Sequence, residues 1–287
     1  MALSAKIVRL VVNADDFGLT AGVNRAVGEL AAHGALRSAT LMANGDAFID
    51  AVAIADRTNC LGVGCHVVLV DGSAVAPLDE VSALVDASGQ LEASLVKFVA
   101  RLQSGRIPEL QIEREATAQI RRLQSAGVTV THVDTHKHTH LFPGVARPLL
   151  RAAMACGVGG IRNPFEQAWS AGLTRGALLR RLEVSVLRNF QSRFHRLLRA
   201  SGLRSTDGSI GVSATGSLDA ATLQLLLDRA EGGTWELVCH PGYNDADLDN
   251  VKTRLRGTRE VERAALLNLL PSAVRSGQVE LINFNDL

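Results

Sequence analysis

A repeating alternation of short apolar runs with longer segments of helical spacing constrains this chain more than any other feature. Ile7 to Val12 reads as a buried strand. Thr20 then offers a helix N-cap, Val23, Val27 and Leu30 keep helical spacing, and Gly34 stops the helix. Further strands are predicted at Ser38 to Met42, Leu61 to Val70, Val128 to Asp134, Gly160 to Arg162, Ser209 to Val212, Thr234 to Cys239 and Val279 to Phe284. Helices are predicted at about 51–55, 93–103, 112–125, 145–156, 220–230 and 259–275, with a long arginine-rich one at about 174–200. Strands that are each followed by a helix need crossover connections, and those build parallel sheets. For 287 residues the expectation is an α/β, TIM-barrel-like (β/α)7-8 barrel. It is expected to form one domain over 1–287, with an arginine-rich helical insertion at about 165–205.

Composition removes several classes of function. With 47% hydrophobic and 21% charged residues the chain is no disordered polymer. Thirty basic and 29 acidic side chains leave a net charge of +1, so no global field recruits nucleic acid. Aromatic residues, at 4%, are too sparse for a platform that stacks bases. Cys60, Cys65, Cys156 and Cys239 contain no CxxC pair and read as reduced thiols, mostly buried. Arg9 interrupts the first apolar run, so no secretory leader is expected, and no stretch approaches the ~18 uncharged apolar residues of a membrane span. A cytoplasmic location is expected.

The polar groups fall where the predicted strands end. Asn13, Asp15 and Asp16 follow the first strand, and His66 lies in the third, in GVGCHVVL. Asp134 and His136 end the fourth, in THVDTHKHTH, and His240 ends a late one, in ELVCHPGY. The C-terminal ends of parallel barrel strands share one face, so these segments are expected to converge on one pocket. His132, Asp134 and His136 share parity and would present one face of their strand, whereas Cys65 and Cys239 would point toward the helices. Imidazole and carboxylate together suit a borderline ion such as Zn²⁺, and two His with one Asp make the three protein ligands of a catalytic site. The bland alternative is a set of polar caps on strand ends. By chemistry alone, His132, His136, His138 and His140 cannot be ranked as ligands.

Other motifs are absent or weak. No GxGxxG or GK[ST] opens a helix and no GxSxG elbow is present, which argues against nucleotide binding and a serine nucleophile. Asp245, Asp247 and Asp249 lack the glycine and glutamate of a calcium loop and are expected in a solvated loop.

VVNADDFGLT, GVGCHVVL, THVDTHKHTHLFP and ELVCHPGY, in this order and spacing, resemble the YdjC-like carbohydrate deacetylase family over nearly the whole chain. IRNPFE, the arginine-rich stretch and SIGVSATGSLD look more like its hopanoid-biosynthesis-associated (HpnK) branch than its chitooligosaccharide branch. The resemblance implies a metal-dependent N-deacetylase on a TIM-barrel-like fold. Carried over by position, Asp16, His66 and His136 would hold one divalent metal, Zn²⁺ first and Mg²⁺ second. Asp15 would be the general base and His240 the general acid. Asp134, His138 and Arg162 would contact substrate or orient the ligands from behind. For Arg162 the readings of gripping sugar, gripping a carboxylate, or forming a structural salt bridge stay open. The chain departs from the family pattern at Cys65 and in the KHT between histidines, yet no carried-over residue is missing.

The implied substrate is an N-acetylglucosamine group on a hopanoid polyol, a glycolipid deacetylated to its glucosaminyl form. Amide hydrolysis fits these identities, because a metal-held water can ionise near pH 7 and an imidazole can protonate the leaving amine. The alternatives are a chitooligosaccharide deacetylase, a metal-dependent phosphoesterase and a nonenzymatic lipid-binding protein. Seven arginines against the single acid Glu183 in 174–200 suggest peripheral contact with the inner membrane; packing of a cationic helix on the barrel is the other reading. The oligomer considered is a homodimer.

Overall fold

β1 (Val8–Phe17) is the axis on which the sheet is built. Its apolar alternation buries Leu10, Val12 and Ala14 against the helices, while Val11 faces the other way. In the computed structural model, which describes residues 7–173, 190–230 and 232–287, seven further strands follow. They are β2 (Ser38–Leu41), β3 (Gly62–Val67), β4 (Val130–Thr135), β5 (Gly160–Ile161), β6 (Gly208–Ile210), β7 (Thr234–Cys239) and β8 (Val279–Ile282). The order is β5-β4-β3-β2-β1-β7-β6, with β8 also on β1, and every pair is parallel. Parallel bridges Gly160–Arg204 and Glu166–Ser209 lead the chain after β5 alongside β6, so the sheet curls into the expected barrel-like wall.

The helices that return the chain are α1 (Ala21–Ala32), α2 (Phe48–Asp56), α3 (Leu95–Gln103), α4 (Glu109–Ser125) and α5 (Pro143–Ala155), followed by Ala220–Arg229 and Arg259–Arg275 among the longer ones. Thr20 caps α1 as expected, its Oγ1 accepting from the Val23 N–H at 3.2 Å. The helices Ala168–Leu173 and Gln191–Ser201 stand at the two ends of the arginine-rich stretch. Of the long helix expected at about 174–200 and the insertion expected at about 165–205, residues 174–189 lie outside the described residues. No helix among the described residues is long and apolar enough to cross a membrane. Asp245 is not in a plain loop: it caps the short helix Ala246–Asp249, accepting from the Leu248 N–H. Cys65, Cys156 and Cys239 are buried and Cys60 is exposed.

Several strands end a few residues from where the sequence places them, and two of these differences shape the polar interior. β3 stops at Val67, short of Val70. β1 runs past Val12 through Asp15 and Asp16 to Phe17, with a register shift against β2 between Ala14 and Phe17.

Inside the curl, the lower end is filled by Val11, Ile282 and Phe284. His132 stacks on Phe284 with ring centroids 3.7 Å apart and planes 9° apart. β3 passes this ring at Gly64, where a Cβ would lie 2.5 Å from His132 Cε1, so only glycine fits. Above this layer the interior turns polar and ionic.

Candidate metal centre

Asp15 and Asp16 are consecutive, so a regular strand would aim them at opposite faces. Both nevertheless reach the barrel interior, because Asp16 takes φ 63 at the register shift in β1. A left-handed backbone is uncommon for a residue other than glycine, and Asp tolerates it better than most. Strand end β3 adds His66, β4 adds Asp134, and the 3-10 turn His136–Leu141 after β4 adds His136.

Asp16 Oδ1 lies 3.5 Å from His66 Nε2 and 3.4 Å from His136 Nδ1, and these two ring nitrogens are 3.3 Å apart. That oxygen is buried and accepts no hydrogen bond. Its sister Oδ2 takes the Arg259 guanidinium at 2.6 Å. His66 turns its other nitrogen, Nδ1, to Asp134 Oδ1 at 2.7 Å. One free carboxylate oxygen and two imidazole nitrogens form a donor set that suits a borderline divalent ion, with a carboxylate behind one imidazole as metal sites commonly have. The residues therefore fit a single metal ion.

Burial alone would raise the Asp16 carboxyl, but Arg259 and then His136 hold it well below the usual range. Burial opposes a charge on His66, yet Asp134, Asp15 and Asp16 outweigh it and lift the imidazole to about 9.

Arg162, wholly buried, organises the next layer. Its Nη1 and Nη2 hold Asp15 Oδ2 and Oδ1 at 2.9 and 2.6 Å, its Nη1 also meets Asp134 Oδ2 at 2.5 Å, and its Nε donates to Glu236 Oε1 at 2.7 Å. Arg162 is thus ion-paired to three buried carboxylates. Burial would raise Asp15, but the Arg162 charge keeps it ionised far below the ordinary range. Asp15, His66 and Asp134 also lie close enough to share an ion. The guanidinium already bound to both carboxylates would repel a second cation, which speaks against a paired-metal centre.

His240, after β7, brings its Nε2 to 3.7 Å from Asp15 Oδ2, and its backbone N–H donates to Glu262 at 2.7 Å. His138 has φ 51, and its buried Nδ1 has no partner; burial, with Arg162, pushes it down to about 3. His140 Nδ1 pairs with Thr135 at 2.6 Å, and His132 lies in the layer below, so neither is gathered with the other imidazoles. Both are kept neutral by burial.

Four residues of this site were not foreseen. Glu236 is fully buried on β7, where an acid inside the apolar run TWELVC was the available signal. Thr40 places its hydroxyl 3.1 to 3.4 Å from Asn13, Asp15, His66 and Asp134. Arg259 and Glu262 begin a helix and carry no local mark of their roles.

Known proteins resemble this chain in sequence and in fold. The profile of the family described as YdjC-like protein matches residues 9–269. A chitooligosaccharide deacetylase of Yersinia enterocolitica is 38% identical, covering 83% of each chain. A carbohydrate deacetylase of Mus musculus is 32% identical over 82% of this chain and 78% of its own, and one of Brevibacillus brevis is 29% identical over 98% and 100%. Among solved structures, an Enterococcus faecalis V583 protein, provisionally named for cellobiose-phosphate cleavage, superposes with a TM-score of 0.76 at 22% identity. It covers 98% of both chains and speaks to the fold alone.

Proposed function

This chain belongs to the YdjC-like protein family, and we propose that it is a metal-dependent carbohydrate N-deacetylase acting on an N-acetylglucosamine group. The observation that carries this reading is Asp16 Oδ1, buried without a donor and facing two imidazole nitrogens at 3.4 and 3.5 Å. Asp16, His66 and His136 would hold the ion, with Zn²⁺ the best match to the donor set and Mg²⁺ the second. A divalent ion there supplies Lewis acidity, bringing the pKa of a water toward neutrality and polarising the acetyl carbonyl.

The chain's own residues do the rest. Asp134 fixes the His66 ring by its Nδ1, leaving Nε2 aimed at the cluster. Asp15 stays ionised and takes the proton of the attacking water. The C–N bond of the resulting tetrahedral species breaks as His240 gives a proton to the nitrogen, yielding acetate and a free amino sugar. The 3.7 Å between Asp15 and His240 supports this pairing of base and acid around one reacting group.

The finer reading is a hopanoid glycolipid substrate, supported by the resemblance of IRNPFE and SIGVSATGSLD to that branch. Chitooligosaccharides are the second reading, favoured by the 38% identity to a chitooligosaccharide deacetylase. The test is acetate release from a hopanoid N-acetylglucosaminide, a chitooligosaccharide and a phosphate ester, each with and without chelator. Chelator-sensitive acetate release from an N-acetylated substrate is expected, and phosphate release without acetate would overturn the proposal. Which acetylated substrate has the higher kcat/KM decides between the branches. His136→Ala should lose bound metal and activity together; full metal content by elemental analysis would remove His136 from the ligand set. The arginines of 174–200 are proposed to draw the enzyme to anionic lipid. Vesicle co-sedimentation should then rise with anionic lipid and fall with salt, and equal binding to neutral vesicles would end that idea.

A further inference from the structure

One guanidinium serves three buried carboxylates that come from three different strands. Asp15 is on β1, Asp134 on β4 and Glu236 on β7, and all three are within hydrogen-bond reach of Arg162. The Nη edge does the work next to the cluster: it grips Asp15 by both oxygens and Asp134 by one, and the other Asp134 oxygen holds His66. Arg162 follows β5, a strand of two residues, and its backbone N–H donates to the Val133 carbonyl of β4 at 3.0 Å. A guanidinium turns as a rigid plane about its Cδ–Nε bond, so an acceptor held at the Nε–H helps fix the direction in which the Nη groups point. That donor is taken by Glu236 Oε1 at 2.7 Å, from a carboxylate at 0% exposure. The other Glu236 oxygen, Oε2, is buried and has no hydrogen-bond partner.

We propose that Glu236 is a positioning residue which, by anchoring the Arg162 Nε–H, aims the guanidinium that holds Asp15 and Asp134 in their working places. The proposal rests on the deacetylase reading above. Glu236 acts by reach rather than by charge. Burial pushes its carboxyl up to about 7 against the pull of Arg162, so near neutrality the side chain spends its time in both forms. Oε1 can accept from Nε in either form. The titratable and charged groups around it are Arg162, Asp134 and Asp15; its register partner on β6, Ser209, offers a hydroxyl that is given to the Asn163 carbonyl.

Reach and charge are separated by two variants. Glu236→Gln keeps the acceptor at its full length and removes the charge; Glu236→Asp keeps the charge and withdraws it by one methylene. In metal-reconstituted protein, Glu236→Gln should retain kcat within about threefold, because the amide oxygen keeps an acceptor in reach of the Arg162 Nε–H. Glu236→Asp should lose at least about tenfold in kcat, since an ångström of misplacement in a reacting array costs up to ~10²-fold. KM should stay unchanged in both, because Arg162 is fully buried and has no surface for substrate. Metal content should also match the wild type.

A second readout does not depend on turnover. By ¹⁵N NMR, a slowly exchanging Arg162 Nε–H should persist in Glu236→Gln and disappear in Glu236→Asp. Wild-type kcat and a protected Nε–H in Glu236→Asp would overturn the proposal. So would a Glu236→Gln variant that falls as far as Glu236→Asp, because charge would then be the operative property. If the wild type releases no acetate from any substrate, the deacetylase reading fails, and the NMR comparison still decides whether Glu236 anchors Arg162.

Discussion

Asp16 holds φ 63 while its two oxygens face different partners, Arg259 on one side and two imidazoles on the other. Its neighbour Asp15 is gripped from the opposite direction by Arg162. Two adjacent carboxylates thereby receive separate duties, and each can be removed without the other. Asp15→Asn should keep the metal and lose ~10²–10⁴ in kcat, the usual share of a general base, because an amide cannot accept the proton. Near-native turnover in that variant would make Asp15 purely structural. His66 adds a proton linkage. Its pKa of about 9 means that the metal-free protein carries the proton at pH 7, and an ion must displace it. Calorimetry in buffers of different ionisation enthalpy should show proton release on Zn²⁺ binding at pH 7 that fades as the pH passes 9. Release that is independent of pH would show that His66 is not the displaced group.

At the scale of elements, β3 and β4 approach closely because β3 carries no side chain at Gly64. His132 fills the space, with Phe284 stacked on its ring. Gly64→Ala would set a methyl 2.5 Å from the ring, and the ring cannot withdraw past Phe284. Overpacking of this kind costs about 1–3 kcal/mol, which urea unfolding should show as a lower midpoint at unchanged slope. An unchanged midpoint would mean that the strands part freely here. In the fold, GVG is where the wall thins to admit a buried imidazole. The His-rich segment is also sorted at this scale. Lys137 and His138 take φ 56 and 51, which turns the chain after β4 and separates His136 from His138 and His140. Three histidines at equal spacing thus reach different surroundings.

For the whole molecule, Arg162 joins carboxylates from β1, β4 and β7 across the barrel interior, and all of them are nearly or wholly buried. Removing one partner from such an array strands the others, at a cost of about 3–5 kcal/mol. Arg162→Met should therefore be strongly destabilised at pH 7. The pH dependence comes from the signs. In the wild type the Asp15 carboxyl lies below its unfolded value, so its stabilisation is present above the ordinary carboxylate range and is lost on acidification. In Arg162→Met the same groups, buried without their cation, would lie above their unfolded values. The deficit should then shrink as the pH falls toward 5. Thermal unfolding of both proteins across pH 5–8 reads the two slopes, and parallel curves would show that Arg162 is not the source of the Asp15 shift.

The alternation of strand and helix, the parallel sheet, and Asp15, Asp16, His66, Asp134, His136 and His240 as the groups to watch were all legible in the sequence. These are local signals: apolar runs have a period, and charges that interrupt or end a buried strand are conspicuous wherever they occur. How those groups divide their duties is a tertiary matter. Glu236 meets Arg162 across 74 positions, and Arg259 meets Asp16 across 243. No window of sequence contains either pair. The left-handed turn at Asp16, which aims consecutive carboxylates into one cavity, is likewise silent in the residue types, because the sign of φ is set by how β1 must meet β2. Local patterning selects the elements, whereas the pairing of buried charges is settled only when the barrel curls and each must find an opposite charge or lose its own.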